Sequence, residues 1–267
     1  MQHYIISGDA LKVIPEIPIQ FDAVIVDPPY NTANKNTKVL KGRKARSSDF
    51  GTWDYFSQGA YLDFTDQWVR LVGEKLKESG NLILFSKLEH VGDLRKIYEK
   101  NGFRHHATII WHKTNPAPQI RKNGFLSSCE AILWATRGFD DKKISYTFNF
   151  TQQNKMHNFI ESPICMGNER TKHPTQKPEK VIKHLVETFT QRGEWILDCF
   201  AGSGTLAVVA DGLKRNTISI ESDKVYFQIM LDRIKQRKEN NSRVSALYRK
   251  GQLAAISRKR DSSLRSI

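Results

Sequence analysis

Cysteine is scarce in this 267-residue chain: Cys129, Cys165 and Cys199 lie far apart and form no CxxC pair. That spacing excludes a disulfide framework and a cysteine-rich zinc site, and no metal is expected. No apolar run approaches the roughly 18 residues a membrane span needs. The opening residues, MQHYIISGDA, lack the basic and long apolar regions of a signal peptide. The expectation is a soluble, cytoplasmic protein with no membrane partner. No GxxxxGK(S/T) segment occurs, which argues against a P-loop nucleotidase. Acidic residues are also few: 28 Asp and Glu stand against 42 Lys and Arg, a net charge of +14. An excess of that size points to a polyanionic partner, nucleic acid first, although a merely soluble basic protein would show it too.

What the chain does contain is strand–helix alternation, and its length suits one large α/β domain with a small appendage. Residues 3–7 read as a short strand. Residues 21–27, FDAVIVD, form a near-continuous apolar, β-branched run, as expected of a parallel strand covered on both faces. That run ends directly in Asp27-Pro28-Pro29-Tyr30. Residues 31–59 are polar and irregular and carry Lys35, Lys38, Lys41, Arg43, Lys44 and Arg46 with no acid until Asp49. A helix over 61–77, a strand over 81–86, a helix over 91–100 and strands over 107–111 and 131–135 follow. Residues 139–172 break the rhythm and read as an inserted lobe. It resumes with a helix over 178–190, a strand over 195–200, a helix over 205–213, a strand over 217–221 and a helix over 223–237. The pattern predicts an α/β fold with a mostly parallel sheet and helices on both faces. It divides the chain into 1–138, the lobe 139–172, 173–240 and a basic C-terminal tail, 241–267.

The strand WILDCF runs into Ala201-Gly202-Ser203-Gly204-Thr205 and then a helix. Glycines at such a turn let backbone pass close to a ligand, and the helix start offers free N–H groups. Glu221, one strand later, is placed to accept ribose hydroxyls. An adenosine-containing cofactor is implied. Gly202-x-Gly204-x-x-Ala207 also fits the dinucleotide fingerprint. Asp198 opposes NAD, because dinucleotide sites keep a small apolar residue there, whereas a carboxylate could pair with an ammonium.

Two prolines stiffen Asp27-Pro28-Pro29-Tyr30 and remove two N–H donors. The carbonyls around Pro28 and the Asp27 carboxylate are then fixed acceptors for an exocyclic amino group. Tyr30 offers a flat face on which a base can stack, worth about 1–3 kcal/mol. A plain Pro-rich turn would look the same in isolation. The Pro-Cys nucleophile of cytosine-C5 chemistry is absent.

Together these segments resemble the β-class of S-adenosylmethionine-dependent DNA amino-methyltransferases of restriction–modification systems, in which DPPY precedes and FxGxG follows the target-recognition region. Phe200 to Gly204 match FxGxG, residues 173–178 match HPTQKP, Gly8-Asp9-Ala10 match an acidic turn, and residues 110–118 (IWHKTNPAP) match a segment near the target base. The matches cover about residues 1–238 in the family's order. The resemblance implies a Rossmann-like, circularly permuted methyltransferase fold with a seven-stranded sheet and one antiparallel strand near its edge. It implies that Asp27, Pro28, Pro29 and Tyr30 engage a flipped base. It assigns the cofactor to Asp9, Ala10, Thr175, Lys177, Asp198, Phe200, Gly202, Ser203, Gly204, Thr205 and Glu221. An apolar core residue is the plainer alternative for Phe200, with the motif match favouring the cofactor contact, and the neighbours of His173 suggest an exposed turn. A first-position Asp is typical of adenine-N6 members and Ser of cytosine-N4 members. The target base must leave the duplex to reach such a pocket. The grips on DNA would be the 31–59 loop with its cations and the 139–172 lobe, with Arg121, Lys122, Asn154, Arg170 and Lys172 as contacts. A cognate restriction endonuclease and a homodimer are partners the family admits. Cytosine-N4 methylation, RNA adenine methylation, a NAD enzyme and a non-catalytic DNA-binding protein stand as alternatives.

Overall fold

The computed structural model describes residues 1–31, 57–120, 122–138, 146–236, 243–247 and 256. The six cations at 35–46, Arg121 and nearly all of the basic tail lie outside them.

The centre of the molecule is a mixed sheet. β1 (Gln2–Ser7) is followed by the short α1 (Ala10–Val13) and by β2 (Phe21–Val26). Then come α2 (Gln58–Lys75), β3 (Leu76–Ser86), α3 (Val91–Lys100), β4 (Phe103–Lys113), β5 (Cys129–Arg137) and β6 (Phe159–Ser162). The remainder is α4 (Glu179–Phe189), β7 (Trp195–Asp198), α5 (Thr205–Gly212), β8 (Asn216–Glu221), α6 (Lys224–Gln236) and β9 (Arg243–Leu247). The strand order is β6-β4-β5-β3-β2-β7-β8-β1-β9. Among the described strands only β5 runs against its neighbours, pairing antiparallel with both β3 and β4. The seven strands from β4 to β1 are those implied by the resemblance. The structure adds β6, parallel to β4, and β9, parallel to β1, at the two edges. β6 lies within the 139–172 segment, so the described part of that segment extends the sheet.

Burial accounts for the apolar runs. Alternate residues of a strand face opposite sides of a sheet. Val24 and Val26 of β2 join one core with Trp68, Val69 and Val72 of α2, while Ala23 and Ile25 join the other with Val181, Leu185 and Val186 of α4. A strand with both faces covered has no polar face to reveal by alternation. Helix α2 starts three residues before its expected position because the Ser57 hydroxyl accepts the Ala60 N–H at 3.2 Å. Its core residues lie on one side of the sheet, and those of α5 (Leu206, Val209, Ala210) lie on the other. The connections leaving the adjacent strands β2 and β7 thus diverge to opposite faces, and such divergence opens a crevice beyond the strand ends. Ala23 and Val24 pair with Ile196 and Leu197, which sets the DPPY loop beside the glycine loop.

Candidate active site

The Asp27 side chain leaves the end of β2 and meets Tyr30 of its own loop and Lys177 from the segment before α4. The Tyr30 hydroxyl donates to Asp27 Oδ1 at 2.5 Å and lies 3.2 Å from Glu130 Oε2. Lys177 Nζ lies 2.5 Å from Asp27 Oδ2 and 3.4 Å from Glu130 Oε2. Lys113 Nζ holds the other Glu130 oxygen at 2.8 Å. His90 Nε2 donates to the Tyr30 carbonyl at 3.2 Å and pins the loop. The Lys177 ammonium also lies over the Tyr30 and Phe85 rings, 5.1 and 5.2 Å from their centroids.

Two carboxylates and two ammonium groups balance, which a site this enclosed requires. Within it Asp27 is the most accessible carboxylate: its side chain is 24% exposed, against 16% for Glu130 and 7% for Lys177. Burial pushes the Asp27 carboxyl above its ordinary value despite Lys177. Burial also presses on Glu130, but Lys177 and Lys113 outweigh it and leave that carboxyl below its usual value. Desolvation opposes the Lys177 charge, yet Asp27 and Glu130 prevail and raise its pKa. Lys177, expected with the cofactor residues, therefore sits at the DPPY end, drawn there by two half-buried carboxylates. Glu130 is absent from the candidate residues, and Lys113 entered only within a matched segment. An acid inside the apolar run CEAILW is the one local trace of Glu130.

The second half of the site is built around the turn after β7. Gly202 and Gly204 have φ of 51° and 75°, and a Cβ would fall 2.8 Å from the His173 ring at Gly202 and 2.5 Å from Met230 at Gly204. Both features require glycine. The Gly202 N–H donates to Glu221 Oε2 at 2.7 Å, and the Asp223 N–H donates to Oε1 at 2.8 Å. Asp198 Oδ1 accepts the Phe200 N–H at 3.1 Å, its only hydrogen bond among the described residues. With no cation beside it among the described residues, burial pushes the Asp198 carboxyl up to about 8. Phe200 packs edge-on against Trp68 and Phe64 and also lines the cavity, so it is both core and wall.

Ser203 and Thr205 present their hydroxyls to Arg233 at 3.3 and 2.9 Å, and Arg233 reaches Glu179 at 2.7 Å. Arg233 is 7% exposed and ties the glycine loop to α4. It was not singled out, although it interrupts the apolar face formed by Phe227, Met230, Leu231 and Ile234. His173 is buried, not on an exposed turn; its ring lies against Tyr226 at 4.3 Å, and burial lowers its pKa to about 4. Asp9 caps α1 by accepting the Leu11 N–H at 3.0 Å.

One cavity of about 1130 Å³ joins the two halves, with Asp9, Ala10, Asp27, Tyr30, Thr175, Lys177, Asp198, Phe200, Gly202 and Glu221 on its walls. That volume holds a ligand of nucleoside size and more. Arg170 also lines it, whereas Lys122 and Lys172 are exposed outside it. Among the described residues no helix is long and apolar enough to cross a membrane, and no cluster of His, Cys, Asp and Glu could hold a metal ion.

Comparison with known proteins agrees with this geometry. The DNA methylase family matches residues 21–232. The chain is 32% identical over 247 residues to the Type II methyltransferase M2.DpnII of Streptococcus pneumoniae, covering 89% of this chain and 91% of that one. It is 33% identical to the Type II methyltransferase M2.LlaDCHI of Lactococcus lactis subsp. cremoris, covering 86% and 88%. Among solved structures, the M1.HpyAVI–SAM complex superposes with a TM-score of 0.67 at 26% identity, covering 88% of this chain and 99% of that one. The cytosine-N4-specific PvuII DNA methyltransferase shares the fold, with a TM-score of 0.70 at 17% identity, covering 96% and 92%. The family match over most of the chain and the two near-full-length relatives lead to one conclusion: the chain belongs to the DNA methylase family.

Proposed function

We propose that this DNA methyltransferase transfers a methyl group from S-adenosylmethionine to the N6 amino group of an adenine flipped out of duplex DNA, directly and without a covalent intermediate. The observation that carries the reading is the Asp27 carboxylate facing the same cavity as Asp198 and Glu221, with the Tyr30 ring beside it. Asp198 fits the cofactor: a buried carboxylate with one hydrogen bond and no cation among the described residues is a ready partner for an ammonium group. Glu221 keeps lone pairs for ribose hydroxyls, and the two positive-φ glycines keep the backbone clear of side chains. When bound, the cofactor supplies an electrophilic methyl group.

The chain's own residues would do the rest. Asp27 and the carbonyls near Pro28 accept the amino hydrogens, which frees the nitrogen lone pair from conjugation with the ring. Tyr30 supplies the stacking face. Positioning and preorganised acceptors, rather than a nucleophile, lower the barrier. Burial raises the pKa of Asp27 and suits it to take the proton released as the new C–N bond forms. The first-position Asp, by the family association, favours adenine over cytosine. The Type II names of the relatives favour a cognate restriction endonuclease acting at the same sequence.

The test is a tritiated-methyl assay on duplex DNA, single-stranded DNA and RNA, followed by mass identification of the labelled nucleoside. N6-methyldeoxyadenosine from duplex DNA is expected. N4-methyldeoxycytidine would overturn the base assignment, and label confined to RNA would overturn the substrate.

A further inference from the structure

In this structure Tyr30 holds one Asp27 carboxylate oxygen and Lys177 the other, each at 2.5 Å, and each oxygen keeps a second lone pair. The Lys177 ammonium on Asp27 Oδ2 neutralises the carboxylate and weakens it as an acceptor and base for an incoming amino group, so withdrawal of Lys177 strengthens the acceptor. A donor released inside an enclosed site requires a new acceptor, because an unsatisfied buried charge is expensive. One atom is positioned for that purpose. Glu130 Oε2 lies 3.2 Å from the Tyr30 hydroxyl and 3.4 Å from Lys177 Nζ, so either donor reaches it with a shift of under about one ångström to normal hydrogen-bond length. The partner oxygen Oε1 is held by Lys113 at 2.8 Å, which fixes the direction in which Oε2 points.

We propose that Glu130 is a positioning residue that receives Lys177 when the target amino group reaches Asp27, and so unmasks the acceptor without stranding a charge. This inference rests on Asp27 being the amino-group acceptor. The charged or titratable groups facing Asp27 are Tyr30 on its own loop, Lys177 ahead of α4, Glu130 on β5 with Lys113 of β4 behind it, and Asp198 at the end of β7.

The test is a double-mutant cycle. Glu130→Gln keeps the shape and removes the charge, leaving Asp27 as the anionic partner of Lys177 among the described residues. Its kcat/KM for DNA is expected to fall at least about tenfold, with cofactor affinity unchanged. The acid limb of its pH profile should move to lower pH, because Asp27 loses a negative neighbour and keeps its cation. Lys177→Gln in the wild-type background leaves two facing carboxylates and should also cost activity. In the Glu130→Gln background the same change removes the masking cation and should restore activity at least about threefold. A double variant no better than Glu130→Gln, or an unmoved acid limb, overturns the proposal. If Glu130→Gln loses cofactor binding, the cycle is run with Glu130→Asp, where a smaller loss and the same suppression are expected and additivity overturns it. Asp27→Ala is assayed alongside: activity there defeats the acceptor reading itself, whereas additivity alone defeats only the role of Glu130.

Discussion

A carboxylate enclosed without a cation is unstable when ionised, and Asp198 is in that position at the end of β7. Its folded-state pKa, about 8, lies above that of an unfolded carboxyl. Its contribution to stability is therefore full in acid and is lost as pH rises from the ordinary carboxylate range through about 8. Asp198→Asn should raise the melting temperature of the free protein by several degrees in mildly alkaline buffer and leave it unchanged in acid. The same variant should bind S-adenosylmethionine on the order of 100-fold more weakly, since a charge-pairing partner is gone. Calorimetry with and without cofactor checks both, and a free protein destabilised at alkaline pH would refute the account. Asp27→Ala should separate differently, with methyl transfer abolished, at least about 1,000-fold, and cofactor affinity within about threefold of wild type. Wild-type turnover in a tritium assay would remove the acceptor role. Both acids were legible in the sequence because each ends a buried strand within a local motif. Glu130 was not. It meets Tyr30 across 100 positions and Lys177 across 47, and those meetings depend on β5 running antiparallel between β3 and β4.

At the scale of elements, the turn from β7 into α5 carries the most specific constraint. Gly204 caps α5 in the left-handed region at φ 75°, with Met230 of α6 where a Cβ would fall. Gly204→Ala should cost about 2–4 kcal/mol, combining left-handed strain with overpacking against Met230. Adding Met230→Ala should relieve the contact and leave only the strain, about 1 kcal/mol, apart from the cavity that Met230→Ala makes alone. Urea denaturation of the four proteins in this cycle gives the coupling directly, and strictly additive losses would show that α6 does not press on the turn. The glycine turn could be read from sequence because its constraint is local. Arg233 could not be assigned a partner, because its tie to Ser203, Thr205 and Glu179 spans separate elements. The edge strands β6 and β9 were missed for another reason. Each is short, and β6 alternates exposed and buried residues over only four positions, too few for periodicity to show.

Across the whole molecule, the long-range force is the +14 net charge. The buried network around Asp27 is neutral, with two carboxylates against Lys177 and Lys113, so the excess charge lies elsewhere. Lys122, Arg170 and Lys172 are exposed, and Arg170 lines the cavity that holds Asp27, which places positive charge at the route by which DNA would reach the loop. Each phosphate neutralised releases condensed counterions, and the logarithm of affinity falls with that of salt by about 0.9 per contact. Three contacts suffice to weaken binding by roughly 40-fold between about 50 and 200 mM salt, and further contacts steepen the fall. Anisotropy titrations of labelled duplex across that range should therefore give a log–log slope of about −3 or steeper. Cofactor affinity should change little over the same range, since its proposed partners Asp198 and Glu221 lie in an enclosed site. Arg170→Gln and Lys172→Gln should each make the slope shallower by about one, with similar losses on unrelated duplexes, as phosphate contacts do. A flat response would show that the charge excess does not grip the backbone. A slope unchanged in both variants would move the grip away from this edge of the cavity.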